Sequence, residues 1–204
     1  MPAKKRARQA LGSSAAQQSI STETGLAAAE RIARIADEEG AEYAIAGGIA
    51  MHLFGFTRAT TDVDMIASKL LPLPAKGPLT FGGETYEVDL DEQTVEVDWI
   101  VRDDERAFLY QAALDEAEET DGGWPIVSPE WLVILKHFAA RGKDEMDLLW
   151  LLRQDELVDR KRLMEIIKQM FGRFAFAIEQ EMEHWFLQAD LMKAKDEKSD
   201  RASW

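Results

Sequence analysis

A chain of 204 residues is long enough to bury a sizeable core, and its 46% hydrophobic content excludes an intrinsically disordered polymer, which lacks the apolar surface to offset chain entropy. It contains no cysteine, so disulfides and thiolate metal sites are excluded and any metal must be held by oxygen or imidazole. The formal net charge of -14 disfavours indiscriminate binding to nucleic acid, whose phosphates are met by Lys and Arg. No apolar run approaches the ~20 residues that cross a bilayer, and the expectation is a cytoplasmic protein without membrane contact.

Residues 1–20 begin with Lys4, Lys5, Arg6 and Arg8 and continue in Ser, Ala and Gln without periodicity. This predicts a flexible basic tail, either a solvated terminus or an arm that touches RNA or an acidic partner. Residues 21–39 carry Leu26, Ile32 and Ile35 at helical spacing, with Gly40 as a stop. Residues 42–46 form a short apolar run ending at Gly47-Gly48, and 49–54 read as a short helix closed by Gly55. Residues 62–67 alternate Asp62 and Asp64 with Val63 and Met65, the pattern of a strand buried on one face, so both aspartates point the same way.

Three prolines and a glycine between 72 and 78 mark a loop, and 85–90 with 94–101 read as a hairpin. An acidic helix is predicted over 104–119, with Glu116 to Asp121 as its solvated end, then a short strand over 125–127. A helix starts at Ser128-Pro129-Glu130, with Ser as cap and Pro in the first turn. From 143 to 192 the signal is almost wholly helical, with Leu148, Leu152, Leu163, Ile167, Phe171, Phe174 and Phe176 among the candidate core residues. The expected organisation is a tail over 1–20, a core over 21–127, a helical region packed on it over 128–192, and a frayed polar end over 193–204.

Asp62 and Asp64 on one strand face are suited to bridging divalent cations, but Asp89-Leu90-Asp91 repeats the spacing and serves as an internal control. The first pair differs in being preceded by Gly47-Gly48 and a helix-length segment. Glycines at a strand-to-helix turn let backbone N–H groups approach phosphate. Taken singly, Gly47-Gly48 is an ordinary turn, either aspartate is a solvated strand-end charge, and Arg58 pairs with a surface acid as readily as with phosphate. His52, His137 and His184 are scattered and read as helix-boundary histidines rather than ligands.

The run from Ala46 to Gly55, followed by Arg58 to Asp64, resembles the DNA polymerase β-like nucleotidyltransferase superfamily, and within it the AbiEii-type enzymes. The resemblance implies an α+β fold, a small mixed β-sheet core with flanking helices and a helical C-terminal half. It implies Asp62 and Asp64 as catalytic metal ligands with a third acid on a neighbouring strand. In Val95-Glu96-Val97-Asp98-Trp99 the alternation favours Asp98 for that role, with Asp89 as the alternative. By the same likeness, the segment from Ser128 to Asp147 assigns Lys136 and Lys143 to the nucleotide, alongside Gly47, Gly48, Arg58 and Thr61. Lys143 and Asp147 could also tie the two halves together. Many relatives have Ser where this chain has Gly48, so a hydroxyl contact to phosphate is missing.

The implied reaction transfers a nucleoside monophosphate from a nucleoside triphosphate such as ATP to an acceptor hydroxyl, with two Mg2+ ions or Mn2+ in their place. The implied setting is a bacterial toxin-antitoxin or phage-defence system, with RNA such as tRNA as acceptor and a cognate antitoxin as partner. Two alternatives stand beside it: a nucleotide-binding but inactive regulator, and an aminoglycoside-type small-molecule nucleotidyltransferase whose acidic body suits a cationic acceptor.

Overall fold

Ser21 starts the first helix by accepting the Thr24 backbone N–H at 3.1 Å, and Gly40, at φ +63°, ends it in the left-handed conformation that spares a Cβ clash. The computed structural model describes residues 18–56, 58–91 and 93–202, with side chains up to residue 198. Lys4, Lys5, Arg6 and Arg8 lie outside the described residues. Ile20, within the segment read as a tail, is buried, and its N–H donates to the Thr60 carbonyl at 2.8 Å.

The elements run α1 (Thr22–Glu39), β1 (Tyr43–Ala46), α2 (Gly47–Leu53), β2 (Asp62–Ala67), β3 (Gly77–Pro78), β4 (Glu84–Leu90) and β5 (Gln93–Ile100). They continue as α3 (Ala107–Asp115), β6 (Glu118–Glu119), β7 (Pro125–Ile126), α4 (Pro129–Ala139), α5 (Gly142–Leu152), α6 (Arg160–Phe171), a 3-10 turn (Gly172–Phe174) and α7 (Ala175–Ala202). The seven strands form one mixed sheet in the order β3-β4-β5-β2-β1-β7-β6. β2 is central, antiparallel to β1 and parallel to β5. This is the α+β fold expected from the sequence. Val63, Met65, Val97 and Trp99 are fully buried on one face, and α1 packs across β2, β4 and β5. The intervening Asp62, Asp64, Glu96 and Asp98 belong to the opposite face.

Four expectations are corrected. The acidic helix stops at Asp115, because Glu118–Glu119 pair with Pro125–Ile126 across a turn closed by Gly123 at φ +77°. Ser128 takes the N-cap position of α4, but its hydroxyl is buried and makes no capping bond, so proline in the first turn sets that start. Phe174 and Phe176 are 65% and 71% exposed, because Gly172 at φ +51° interrupts the helical phase and α7 buries Met182, Phe186 and Ala189 instead. Residues 193–202 continue α7, secured by Lys193 to Asp155 and Arg153 to Asp196. Among the described residues no helix is long and apolar enough to cross a membrane.

The helical half is bolted to the sheet by a buried carboxylate. Asp147 on α5 receives Arg58 at both oxygens, Nε to Oδ1 at 2.7 Å and Nη2 to Oδ2 at 2.9 Å, and Lys136 Nζ of α4 at 2.5 Å. Arg58 lies in the loop that delivers β2, so this cluster fixes where Asp62 begins. Removing one partner from a buried cluster strands the others. Asp147→Ala is expected to lose about 3–5 kcal/mol of unfolding free energy in urea titration. A loss below about 1 kcal/mol would show that the cluster is not a structural tie.

Candidate functional site

Strand register builds the site. Asp64 lies opposite Asp98 and Asp62 opposite Glu96 across the parallel β2–β5 pair, and Thr85 of β4 lies opposite Asp98 on its other side. Residues directly across a strand pair share a face, so Thr85, Asp98 and Asp64 form one row with Asp62 adjacent. Asp89 pairs with Thr94 at the far end of the hairpin and is exposed there, so the register leaves it out of the row.

The glycine pair has a steric cause. Ala46 at the end of β1 faces Asp64, and a Cβ on Gly47, at φ +57°, would stand 1.7 Å from Asp64 Oδ2. A Cβ on Gly48 would stand 2.3 Å from Thr60 Oγ1. Backbone must therefore lie directly against Asp64 and Thr60, which no other residue type permits. α2 is only seven residues long, so its dipole is a minor contribution. Thr60 is buried and its hydroxyl donates to Asp62, 3.2 Å from Oδ1 and 3.3 Å from the carbonyl. Thr61, the threonine selected from sequence, lies outside the cavity wall. The period of two that groups Asp62 with Asp64 also groups Thr60 with them, a signal that the sequence carried.

The carboxylate row forms one wall of a cavity of about 290 Å³. The facing wall carries Arg102, Arg106, Lys136, Arg141 and Lys143, with Phe81, Tyr110 and Phe138. Arg58 is not on that wall; its fork is spent on Asp147. Lys136 does reach the cavity, but it is buried and held by Asp147, with Asp144 at 3.6 Å, so it is structural as well as electrostatic. Arg141 grips Asp144 with both nitrogens, at 2.6 and 3.2 Å. Lys143 is exposed at the mouth, where its charge favours ionisation of both Asp64 and Asp98.

Arg102 and Arg106 escaped sequence reading because Asp103, Asp104 and Glu105 make their segment look like a mixed-charge loop. Arg102 lies in the loop before α3 and Arg106 at its N-cap, so no helical spacing marks them. Arg102 stacks 4.7 Å from the Tyr110 ring centre and 5.2 Å from that of Phe81; Arg106 donates to the Phe138 carbonyl at 2.5 Å.

Burial pushes the Asp64 carboxyl up to about 6, helped by the charges of Asp62 and Asp98 and opposed by Lys136 and Lys143. Burial likewise raises Asp98, against the hydrogen bond from Thr85. The donors are all carboxylate oxygens, which suit a hard cation such as Mg2+ or Mn2+ rather than a soft one. Among the described residues no three Asp, Glu or His side chains are gathered closely enough to hold a metal ion as they stand. The fit is therefore to a cation that completes its shell with water and phosphate oxygens, as Mg2+ does. His52 is occupied structurally, 2.6 Å from the Arg58 carbonyl and 3.0 Å from Thr22 Oγ1.

A carboxyl whose folded pKa is raised adds stability below its unfolded value of 3.8, and that stability is lost as pH rises through about 6. Asp64→Asn is therefore expected to melt higher than wild type above about pH 6 in metal-free buffer, the gap closing toward pH 3.8. A pH-independent difference in melting temperature would contradict this placement of Asp64.

No protein-family model matches this chain, and no curated protein does. Among solved structures, it is similar to an antigenic nucleotidyltransferase-like protein from Paracoccidioides brasiliensis, at 18% identity and a TM-score of 0.44 over 79% of this chain and 94% of that one. It is also similar to the antibiotic-resistance factor ANT(2'')-Ia, at 14% identity and a TM-score of 0.43 over 80% of this chain and 100% of that one. At this distance neither likeness assigns an activity.

Proposed function

We propose that this chain is a metal-dependent nucleotidyltransferase that moves a nucleoside monophosphate from a nucleoside triphosphate to an acceptor hydroxyl, releasing pyrophosphate. The observation that carries the reading is a contrast between two kinds of carboxylate. Asp144 and Asp147 have both oxygens met by cationic side chains. Among the described residues, Asp62 and Asp98 are met only by the neutral hydroxyls of Thr60 and Thr85, and none of Asp62, Asp64 and Asp98 forms an ion pair. Negative charge left uncompensated in a half-buried row is costly unless a cation from solution uses it.

When bound, Mg2+ would neutralise triphosphate charge and ease loss of the acceptor proton. Asp62, Asp64 and Asp98 would hold it. Lys143, exposed on the cavity lining, would meet phosphate oxygens as a point charge, with Lys136 and Arg141 adding positive charge to the same lining. Gly47 lets backbone lie against Asp64, and Gly48 lets it lie against Thr60, the residue that holds Asp62. Arg58 acts through Asp147 rather than on the nucleotide, which revises its sequence-based role. RNA in a toxin-antitoxin or phage-defence setting is the acceptor setting that the sequence resemblance to AbiEii-type enzymes supports.

Asp62→Asn, Asp64→Asn and Asp98→Asn should each reduce pyrophosphate release with Mg2+ and mixed triphosphates to background, while Asp91→Asn, on the hairpin tip, should be silent. Lys143→Ala should raise KM for the triphosphate about tenfold or more, given about 1.5–3 kcal/mol for hydrogen bonds to charged groups. Full activity in Asp64→Asn would overturn the reading.

A further inference from the structure

The row that begins at Asp64 does not end at Asp98. It continues onto β4 at Thr85, whose hydroxyl donates to Asp98 Oδ1 at 2.7 Å across the antiparallel β4–β5 pair. That is the one side-chain hydrogen bond Asp98 receives among the described residues. A hydrogen bond to one carboxylate oxygen restrains rotation about the Cβ–Cγ bond, and here Thr85 supplies it. With Oδ1 held by Thr85, Oδ2 has no side-chain hydrogen-bond partner among the described residues and is left for another ligand.

Resting on the nucleotidyltransferase reading, we infer that Thr85 is a positioning residue of the site: its hydroxyl sets the orientation in which Asp98 presents its free oxygen to the metal shared with Asp64. The hydroxyl is a suitable choice of donor. A lysine or arginine there would neutralise Asp98 and compete with the cation, as Arg58 and Lys136 do for Asp147. Thr60 stands in the same relation to Asp62 on the other flank, 3.2 Å from Oδ1, but it also packs against Gly48, so its loss would disturb the turn. Thr85 is half-buried and has no such second duty, which makes it the position where orientation can be tested apart from packing.

Thr85→Val keeps the branched side chain a strand favours and removes only the donor. Partners that orient a metal ligand are typically worth about 10–100-fold in metal affinity or activity. In the full chain, Thr85→Val should weaken Mn2+ binding, read from the electron paramagnetic resonance signal of free Mn2+, by about tenfold or more. It should lower kcat for pyrophosphate release by a similar factor and leave KM for the triphosphate within about twofold. Thr85→Ser, which restores the donor, should recover both, and Thr85→Ala provides the same comparison should valine disturb the strand. Wild-type Mn2+ binding and turnover in Thr85→Val, with both lost in Asp98→Asn, would overturn the role of Thr85 and leave the enzymatic reading intact. Equal losses in the Val and Ser variants would also overturn it, since the hydroxyl would not be the cause. Wild-type behaviour of Asp98→Asn would instead bring down the enzymatic reading, and the inference with it.

Discussion

Parallel pairing of β2 with β5 puts Asp64 beside Asp98, and two like charges about 5 Å apart at an effective dielectric near 20 repel by roughly 3 kcal/mol. Asp62 adds a third charge from the same strand. Burial adds to the repulsion, raising the carboxyls of Asp64 and Asp98 alike. A sheet could avoid the problem by slipping one strand by one residue, but that slip would turn either Val63 and Met65 or Val97 and Trp99 out of the core. The apolar face therefore holds the acidic face in a conformation it would not choose by itself.

The surroundings accommodate that constraint without cancelling it. Gly47 brings backbone rather than side chain against Asp64, and Thr60 and Thr85 orient the two outer carboxylates with neutral donors. The cations that could neutralise the row are tethered elsewhere: Arg58 and Lys136 to Asp147, Arg141 to Asp144, and Arg102 to Asp104. Tethering serves two ends, since it builds a positive wall at a fixed distance and ties α4 and α5 to the loop that delivers Asp62. The same side chains that stabilise the helical half thus shape the field across the cavity.

Much of this was legible in the sequence because it follows from short periodicities. The alternation in Asp62-Val63-Asp64-Met65 and Val95-Glu96-Val97-Asp98 fixes which residues share a face, and Gly40, Gly55 and Pro129 mark the ends of α1 and α2 and the start of α4. What was not legible depends on contacts distant along the chain. Arg58 meets Asp147 across 89 residues, and nothing local distinguishes that fate from a phosphate contact. The cationic wall mixes residues from before α3 with residues of α4 and α5, and Asp103, Asp104 and Glu105 conceal its first two members. Phe174 and Phe176 were misplaced because a helical pattern says nothing about the break in phase at Gly172.

The most direct test is a crystal structure with Mn2+ and a non-hydrolysable nucleoside triphosphate, with the metal located by anomalous scattering. The account predicts Mn2+ bound by Asp62, Asp64 and Asp98, bridging to phosphate oxygens that reach the wall at Lys143. Manganese bound away from that row, or a triphosphate bound outside the cavity, would contradict it.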